Sequence, residues 1–193
     1  MTIHTHTRAF LVALLLALPF GTALADNYTD TIKVFQNAGE SGGFFGDSYG
    51  YAVFPTIGKG GIGIGGAYGK GRVYGRGSYT GDTSMTQLSV GFQFGGQAYS
   101  QIIFFEDQRA YDEFTGGNFE FSADASAVAI TAGASASAGS TGSSAGASGG
   151  QSSATTRGNY HKGMATFTVA KGGLMYEAVL AGQKFSYKPR ETQ

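Results

Sequence analysis

The chain has 193 residues, 13 of them basic and 13 acidic, so its formal net charge is zero. That is one domain's worth of chain, and the balance supplies no global field to attract nucleic acid, so no nucleic-acid partner is expected. With no cysteine anywhere, disulfides and thiolate sites are excluded, and the fold must rest on its core and its ladder hydrogen bonds.

Arg8 precedes an apolar run over 9–20, and Ala23-Leu24-Ala25 fits a small-x-small cleavage site. These are the parts of a secretory signal peptide. The run is shorter than the roughly 20 residues a spanning helix needs. The reading is therefore a signal over residues 1–25 and a single mature domain over 26–193. That domain is exported, periplasmic or secreted, and peripheral to the membrane.

Residues 27–38 place Tyr28, Thr31, Ile32, Phe35 and Ala38 on one stripe at helical spacing, which predicts a short docked helix ended by Gly39. Residues 40–50 form a glycine-punctuated connector, with Phe44 and Phe45 expected as core plugs. A strand is predicted over 51–54, stopped by Pro55.

The stretch 50–77 is the centre of the chain. It carries Lys59, Lys70, Arg72 and Arg76 and no acidic residue. From Gly61 onward, Ile62, Ile64 and Tyr68 alternate with Gly61, Gly63, Gly65, Ala67 and Gly69. Alternation is a strand signal. One face of this strand has almost no side chains, and such glycines mark a bend or a close approach by another group. A neighbouring element of the same domain or a ligand could lie there. Gly69-Lys70-Gly71 predicts a tight turn into a second strand over 72–80. A two-residue loop would put Arg72 and Arg76 on the bare glycine face, and a three-residue loop would put them beside Ile62 and Ile64.

Gly81-Asp82 predicts another turn. Residues 86–98 alternate Leu88, Val90, Phe92 and Phe94 with Gln87, Ser89, Gln93 and Gln97. A short apolar strand over 101–105 follows. A helix is predicted over 107–115, capped by Asp107 and stopped by Gly116. Alternation resumes over 118–138. The tract 133–158 is rich in Ala, Gly and Ser and cannot bury enough apolar area to offset its ordering entropy; about 140–157 is read as a low-complexity loop. The last strands are predicted over 160–170 and 174–187, joined at Lys171-Gly172-Gly173.

Catalytic patterns are weak. Gly61-x-Gly63-x-x-Gly66 matches the dinucleotide fingerprint in letters only, because its glycines lie within a strand pattern and no helix opens there. His161 is the only histidine after the signal, which is too few for a zinc constellation. The carboxylates Glu106, Asp107, Asp112 and Glu113 are accounted for by helix capping and a solvated helix face. No catalytic residue, metal or cofactor is assigned, and the chain is not read as an enzyme.

The segments Val53-Phe54-Pro55 with Lys59, Gly61 and Gly65, then Gly91, Gln93, Gly95 and Gln97, then Asp124-Ala125-Ser126, then Gly173-Leu174, Leu180 and Gly182, occur in the order found in the SYLF family of lipid-binding domains, which this chain resembles over nearly all of its mature length. The resemblance implies non-catalytic binding of lipid or a membrane surface. Eukaryotic members bind phosphoinositide-containing membranes, and some associate with actin regulators. The family's Gly-Pro and arginine after the third motif are replaced here by the 133–158 tract.

The expected fold is mainly β (α+β): an antiparallel, closed or nearly closed sheet or barrel, with a short N-terminal helix and one further short helix. The expected function is binding of anionic phospholipid or phosphoinositide-like head groups at the cell envelope. Lys59, Lys70, Arg72 and Arg76 would meet the head groups, and Gly61, Gly63 and Gly65 the bare face. A small outer-membrane β-barrel and a structural or assembly module with an envelope protein as partner are the alternatives.

Overall fold

A computed structural model describes residues 23–62, 64–90, 97–130, 159–171 and 180–191. Residues 1–22 of the signal segment, Gly63, the Ala/Gly/Ser tract, the predicted turn glycines 172 and 173 and most of the Gln93-to-Gln97 motif lie outside the described residues.

The sheet is built on two long strands, β1 (Gly50–Ile62) and β2 (Ile64–Gly75). They pair antiparallel from Ile62↔Ile64 at one end to Gly50↔Gly75 at the other. β2 therefore runs straight through Gly69-Lys70-Gly71, where the sequence pattern predicts a turn. The glycines are there for space. A Cβ on Gly69 would lie 2.6 Å from Ile57 Cγ1, and one on Gly71 would lie 2.7 Å from the Phe54 ring. The bare face is thus filled by side chains from β1, the neighbour-in-the-fold reading.

Pro55 does not stop β1. The register shifts at this point against both β2 and β4 (Gln97–Phe105), so the missing N–H falls in a bulge where the ladder asks for no donor. The Pro55 carbonyl accepts a 2.7 Å bond from Ser100 Oγ. The extra residue also changes parity, placing Ala52, Phe54 and Ile57 in one core.

β3 (Ser78–Val90) follows a two-residue turn at Arg76-Gly77. Both residues have positive φ, 50° and 77°, the requirement of the hairpin turn that matches strand twist. β3 passes through the predicted turn at Gly81-Asp82. Gly81 is small because the Lys188 carbonyl and the Tyr187 ring both lie within 2.7 Å of where a Cβ would sit.

The remaining elements are α1 (Ala23–Asn37), α2 (Phe44–Asp47), α3 (Gln108–Thr115), β5 (Phe119–Glu120), β6 (Ala127–Ile130), β7 (Met164–Lys171) and β8 (Lys184–Pro189). Eight strands form one sheet in the order β5-β8-β3-β2-β1-β4-β7-β6. Every pair is antiparallel except β6 with β7. The sheet curves as a half-barrel, with β5 and β6 as its edges.

Each face of the sheet has a core. On the α3 face, Phe54, Ile57, Met85, Ile103 and Phe105 pack with Ala110 and Phe114 of α3 and with Leu180 and Phe185. On the α1 face, Val53, Ile102, Phe104 and Phe167 pack with Phe35 and Ala38. The predicted helical stripe is the docked one: Thr31, Phe35 and Ala38 are buried, and Tyr28 and Ile32 pack against the same cluster. Phe44 and Phe45 close on Phe104, at 5.5 and 4.9 Å between ring centroids, and serve as the expected plugs. Asp107 caps α3, accepting from Ala110 N at 2.8 Å.

A spanning barrel would need a closed sheet with an apolar outside. Here each face carries a core packed against the protein's own helices, and among the described residues the sheet is open. No helix among the described residues is long and apolar enough to cross a membrane.

Candidate functional site

The α1 face has two ends. One is roofed by α1. The other, along β8, β3 and β2 beyond the helix, is bare among the described residues.

At the roofed end sits Arg72, opposite Val53 on β1 and Asp82 on β3. Its guanidinium stacks over the Tyr28 ring at 4.4 Å and the Tyr79 ring at 5.3 Å. A cation over an aromatic face is held without a buried anion. Burial raises the Tyr28 phenol above its ordinary value despite the opposing pull of Arg72. Tyr79 is pushed up to about 12, by burial first and then by its hydrogen bond to Asp82. Both rings therefore stay neutral, and the Arg72 guanidinium stacked over them fastens α1 to the sheet.

Two residues along β2, Lys70 is exposed, and among the described residues it has no ion-pair partner. The register brings further cations to the same face. Lys184 on β8 pairs with Thr86, and Lys188 with Asp82. Lys171 at the end of β7 pairs with Ala98, and its ammonium donates to Thr56 Oγ1 at 2.9 Å. Lys184 meets Glu120 at 3.5 Å and Lys188 meets Glu191 at 3.8 Å. Both pairs are exposed, and such pairs hold weakly, so the ammoniums are free to exchange partners.

The predicted site residues do not form one cluster. Lys70 and Arg72 share the α1 face. Lys59 pairs with Ala67 and Gln97 and lies on the α3 face, because the Pro55 bulge reverses the parity of β1. Arg76 sits in the turn at the far end of β2, its guanidinium 5.0 Å over the Tyr49 ring and its N–H bonded to the Tyr49 carbonyl at 2.8 Å. The register question is settled: Arg72 has the parity of Tyr68 and Lys70, away from Gly65, Ala67, Gly69 and Gly71. Gly61 and Gly65 oppose each other across the hairpin, and Gly63 is outside the described residues.

Lys171, Lys184 and Lys188 were missed by sequence reasoning. The same-face spacing of Lys184 and Lys188 on β8 was visible, but β8 pairs with a strand about a hundred residues earlier, and nothing local announces that pairing.

Beside Lys70 the same face exposes Tyr68 (51%) and Leu88 (87%). The alternation of β3 is inverted at this point: Gln87 points inward and Leu88 outward. The reason is a buried polar network on the α3 face. Gln87 Nε2 donates to the Ala181 carbonyl at 2.9 Å, and Gln101 Nε2 donates to Gln183 Oε1 at 3.0 Å. Gln183 Nε2 in turn bonds the Tyr99 hydroxyl at 3.3 Å. With the amides satisfied inside, parity sends the leucine out.

A second polar group lies at the surface. Asp124 accepts from Ser122 Oγ, pairs with Lys162 at 3.1 Å and meets His161 Nε2 at 3.0 Å. Ser122 first, then Lys162, a backbone N–H and His161, hold its carboxyl well below the usual range. Ser122 and His161 each bond Asp124 itself. The imidazole is not interposed between acid and hydroxyl, as activation of a nucleophile requires. The cluster ties the loop after β5 to the segment before β7, a structural role for His161. Among the described residues, no group of three or more His, Asp or Glu is placed to hold a metal.

Comparison with known proteins bears on the same elements. A family model described as Ysc84, Las17-binding protein actin regulator, matches residues 86–192. The chain belongs to this family. The Ysc84 match and the SYLF resemblance identify the same domain, and the match includes Leu88, Lys171, Lys184 and Lys188. A curated relative, Beta cell expansion factor A of Aeromonas veronii, is 28% identical over 168 residues, covering 81% of this chain and 52% of the relative. The chain thus spans about half the length of the curated relative it matches.

Proposed function

We propose that this Ysc84-family domain is a non-catalytic membrane-surface binding protein that takes anionic phospholipid head groups on the bare end of its α1 face. The observation that carries this reading is the assembly of Lys70, Lys171, Lys184 and Lys188 on one side of the sheet by strands distant in sequence. Each basic side chain near an anionic surface contributes about 1 kcal/mol. Four together give a reversible association that weakens with salt. Membership in a family of lipid-binding domains agrees with this ligand class. Phosphoinositide-like head groups belong to it as the more highly charged members.

The signal pattern over 1–25 supports a location in the cell envelope or outside the cell. N-terminal sequencing of the protein recovered from its native host checks this, with Asp26 as the expected first residue. In that location an actin-regulatory partner, of the kind named in the family description, is not available to the domain. An envelope protein is the second class of partner to probe.

The binding face is tested by co-sedimentation with vesicles containing phosphatidylglycerol. The Lys70→Glu/Lys184→Glu double variant is expected to lose most of its binding, whereas Lys59→Glu, on the opposite face, retains it. Equal loss from the two changes, or from neither, contradicts the assignment.

A further inference from the structure

We infer that Tyr68 and Leu88 form an apolar wedge that enters the acyl boundary of an anionic bilayer while the neighbouring lysines hold its phosphates. The inference rests on the membrane-surface reading above and adds a depth and an orientation to it.

The order of residues along the strands carries the argument. On the α1 face, successive rows lie two residues apart, about 7 Å along the strand. Inside the paired Ile62, Ile64 and Val90 at the hairpin end, the next row is Leu88 with Gly66 and Gly60. Next come Thr86 with Tyr68, Gly58 and, from β8, Lys184. Lys70 with Ser84 and Ser186 follows, and then Arg72 with Asp82 and Lys188. Polarity thus runs from aliphatic, through aromatic with the first lysine, to cationic. A bilayer has the same sequence, from acyl chain to aromatic belt to phosphate. Leu88 and Tyr68 are diagonal neighbours across β2 and β3, within reach of one another. Lysines one and two rows behind can extend their stems along the surface and keep their ammoniums at the phosphates.

The flanking residues leave the wedge unobstructed. A Cβ placed on Gly58 or on Gly60 would meet nothing within 4 Å. Among the described residues, Tyr68 and Leu88 therefore stand exposed above a glycine floor. Entry by about 5–10 Å, the depth at which interfacial elements rest, buries both side chains and brings Lys184 and Lys70 to the head groups. A solitary exposed leucine would carry no meaning. Here the leucine, the tyrosine and the lysines lie in one graded strip, and the charge of that strip selects an anionic bilayer as the occupant.

The chain contains neither cysteine nor tryptophan, so a single introduced cysteine gives an unambiguous probe. Full mature chains carrying Leu88→Cys, Tyr68→Cys or, on exposed α3, Asp112→Cys are labelled with an environment-sensitive fluorophore. They are mixed with phosphatidylcholine vesicles containing phosphatidylglycerol. Labels at 88 and 68 are expected to shift to the blue, brighten severalfold and be quenched by nitroxide on the lipid chains, whereas the label at 112 stays in water. Since 68 and 88 are both exposed, either position alone suffices if the other variant fails to fold. Labels at 68 and 88 that stay in water while the protein sediments with the vesicles overturn the wedge and leave the electrostatic reading standing. Absence of sedimentation on any vesicle overturns both. A blue shift at 88 that follows protein concentration without lipid assigns the strip to a second copy of the chain and also overturns the proposal.

Discussion

A Cβ added to Gly71 would sit 2.7 Å from the Phe54 ring, whereas one added to Gly58 would meet nothing within 4 Å. The two glycines look alike in the sequence, and the cost of replacing them differs. Gly71→Ala must push a buried aromatic ring in a packed core, at a cost of about 1–3 kcal/mol. Gly58→Ala leaves stability unchanged or raises it by a few tenths of a kcal/mol, because alanine restricts the unfolded chain. Urea denaturation of the two variants checks the contrast. The sequence made the bare face visible but not its occupant, since Ile57 and Phe54 reach it only after the Pro55 bulge has set the parity of β1. At the same scale, Asp124 titrates below an ordinary carboxylate in the folded state. The unfolded chain therefore binds more protons at this group. Its stabilising effect is complete above the unfolded value of about 4 and fades as the pH falls below it. The stability gap between wild type and Asp124→Asn should hold constant near neutral pH and narrow in acid, as read from denaturation midpoints across pH.

At the scale of elements, α1 and α3 were legible, whereas α2 (Phe44–Asp47) and the turns were not. α3 announces itself locally, with an aspartate cap, an apolar face and a glycine stop, and the structure uses each of these. Asp107→Ala should cost about 1 kcal/mol, the usual effect of losing an N-cap, read as a lower denaturation midpoint. α1 is held by tertiary contacts, principally Phe35 in the second core and Tyr28 under the Arg72 guanidinium. Phe35→Ala should cost about 3–5 kcal/mol, with far-UV circular dichroism showing whether α1 detaches or the whole domain unfolds. Glycine and proline punctuation misplaced three strand boundaries. Gly69 to Gly71 and Gly81 lie inside strands because side chains cross above them, and Pro55 lies inside β1 because a bulge relieves it of its ladder bond. The turn that does exist uses Arg76-Gly77, where an arginine takes a positive φ and is pinned by Tyr49.

For the whole molecule, strand order creates the candidate site. β8 lies beside β3, and β7 beside β4, so lysines from the end of the chain join Lys70 on a face that local patterning could not assemble. The charged strip was half legible. Lys70 and Arg72 were visible in the central hairpin, but Lys59 and Arg76 were grouped with them only because the parity change and the true turn were hidden. The mainly β class was legible from alternation alone. The half-barrel with a core on each face was not, because it depends on pairings between distant segments. The central claim, that this strip docks on anionic membrane, is tested most directly by the partition of the wild-type protein between buffer and vesicles. Neutral phosphatidylcholine is compared with phosphatidylcholine containing phosphatidylglycerol, each at low and high salt. The account predicts strong binding to the anionic vesicles at low salt, loss of most of it at high salt, and little binding to neutral vesicles under either condition. Equal partition onto both kinds of vesicle, insensitive to salt, would contradict it.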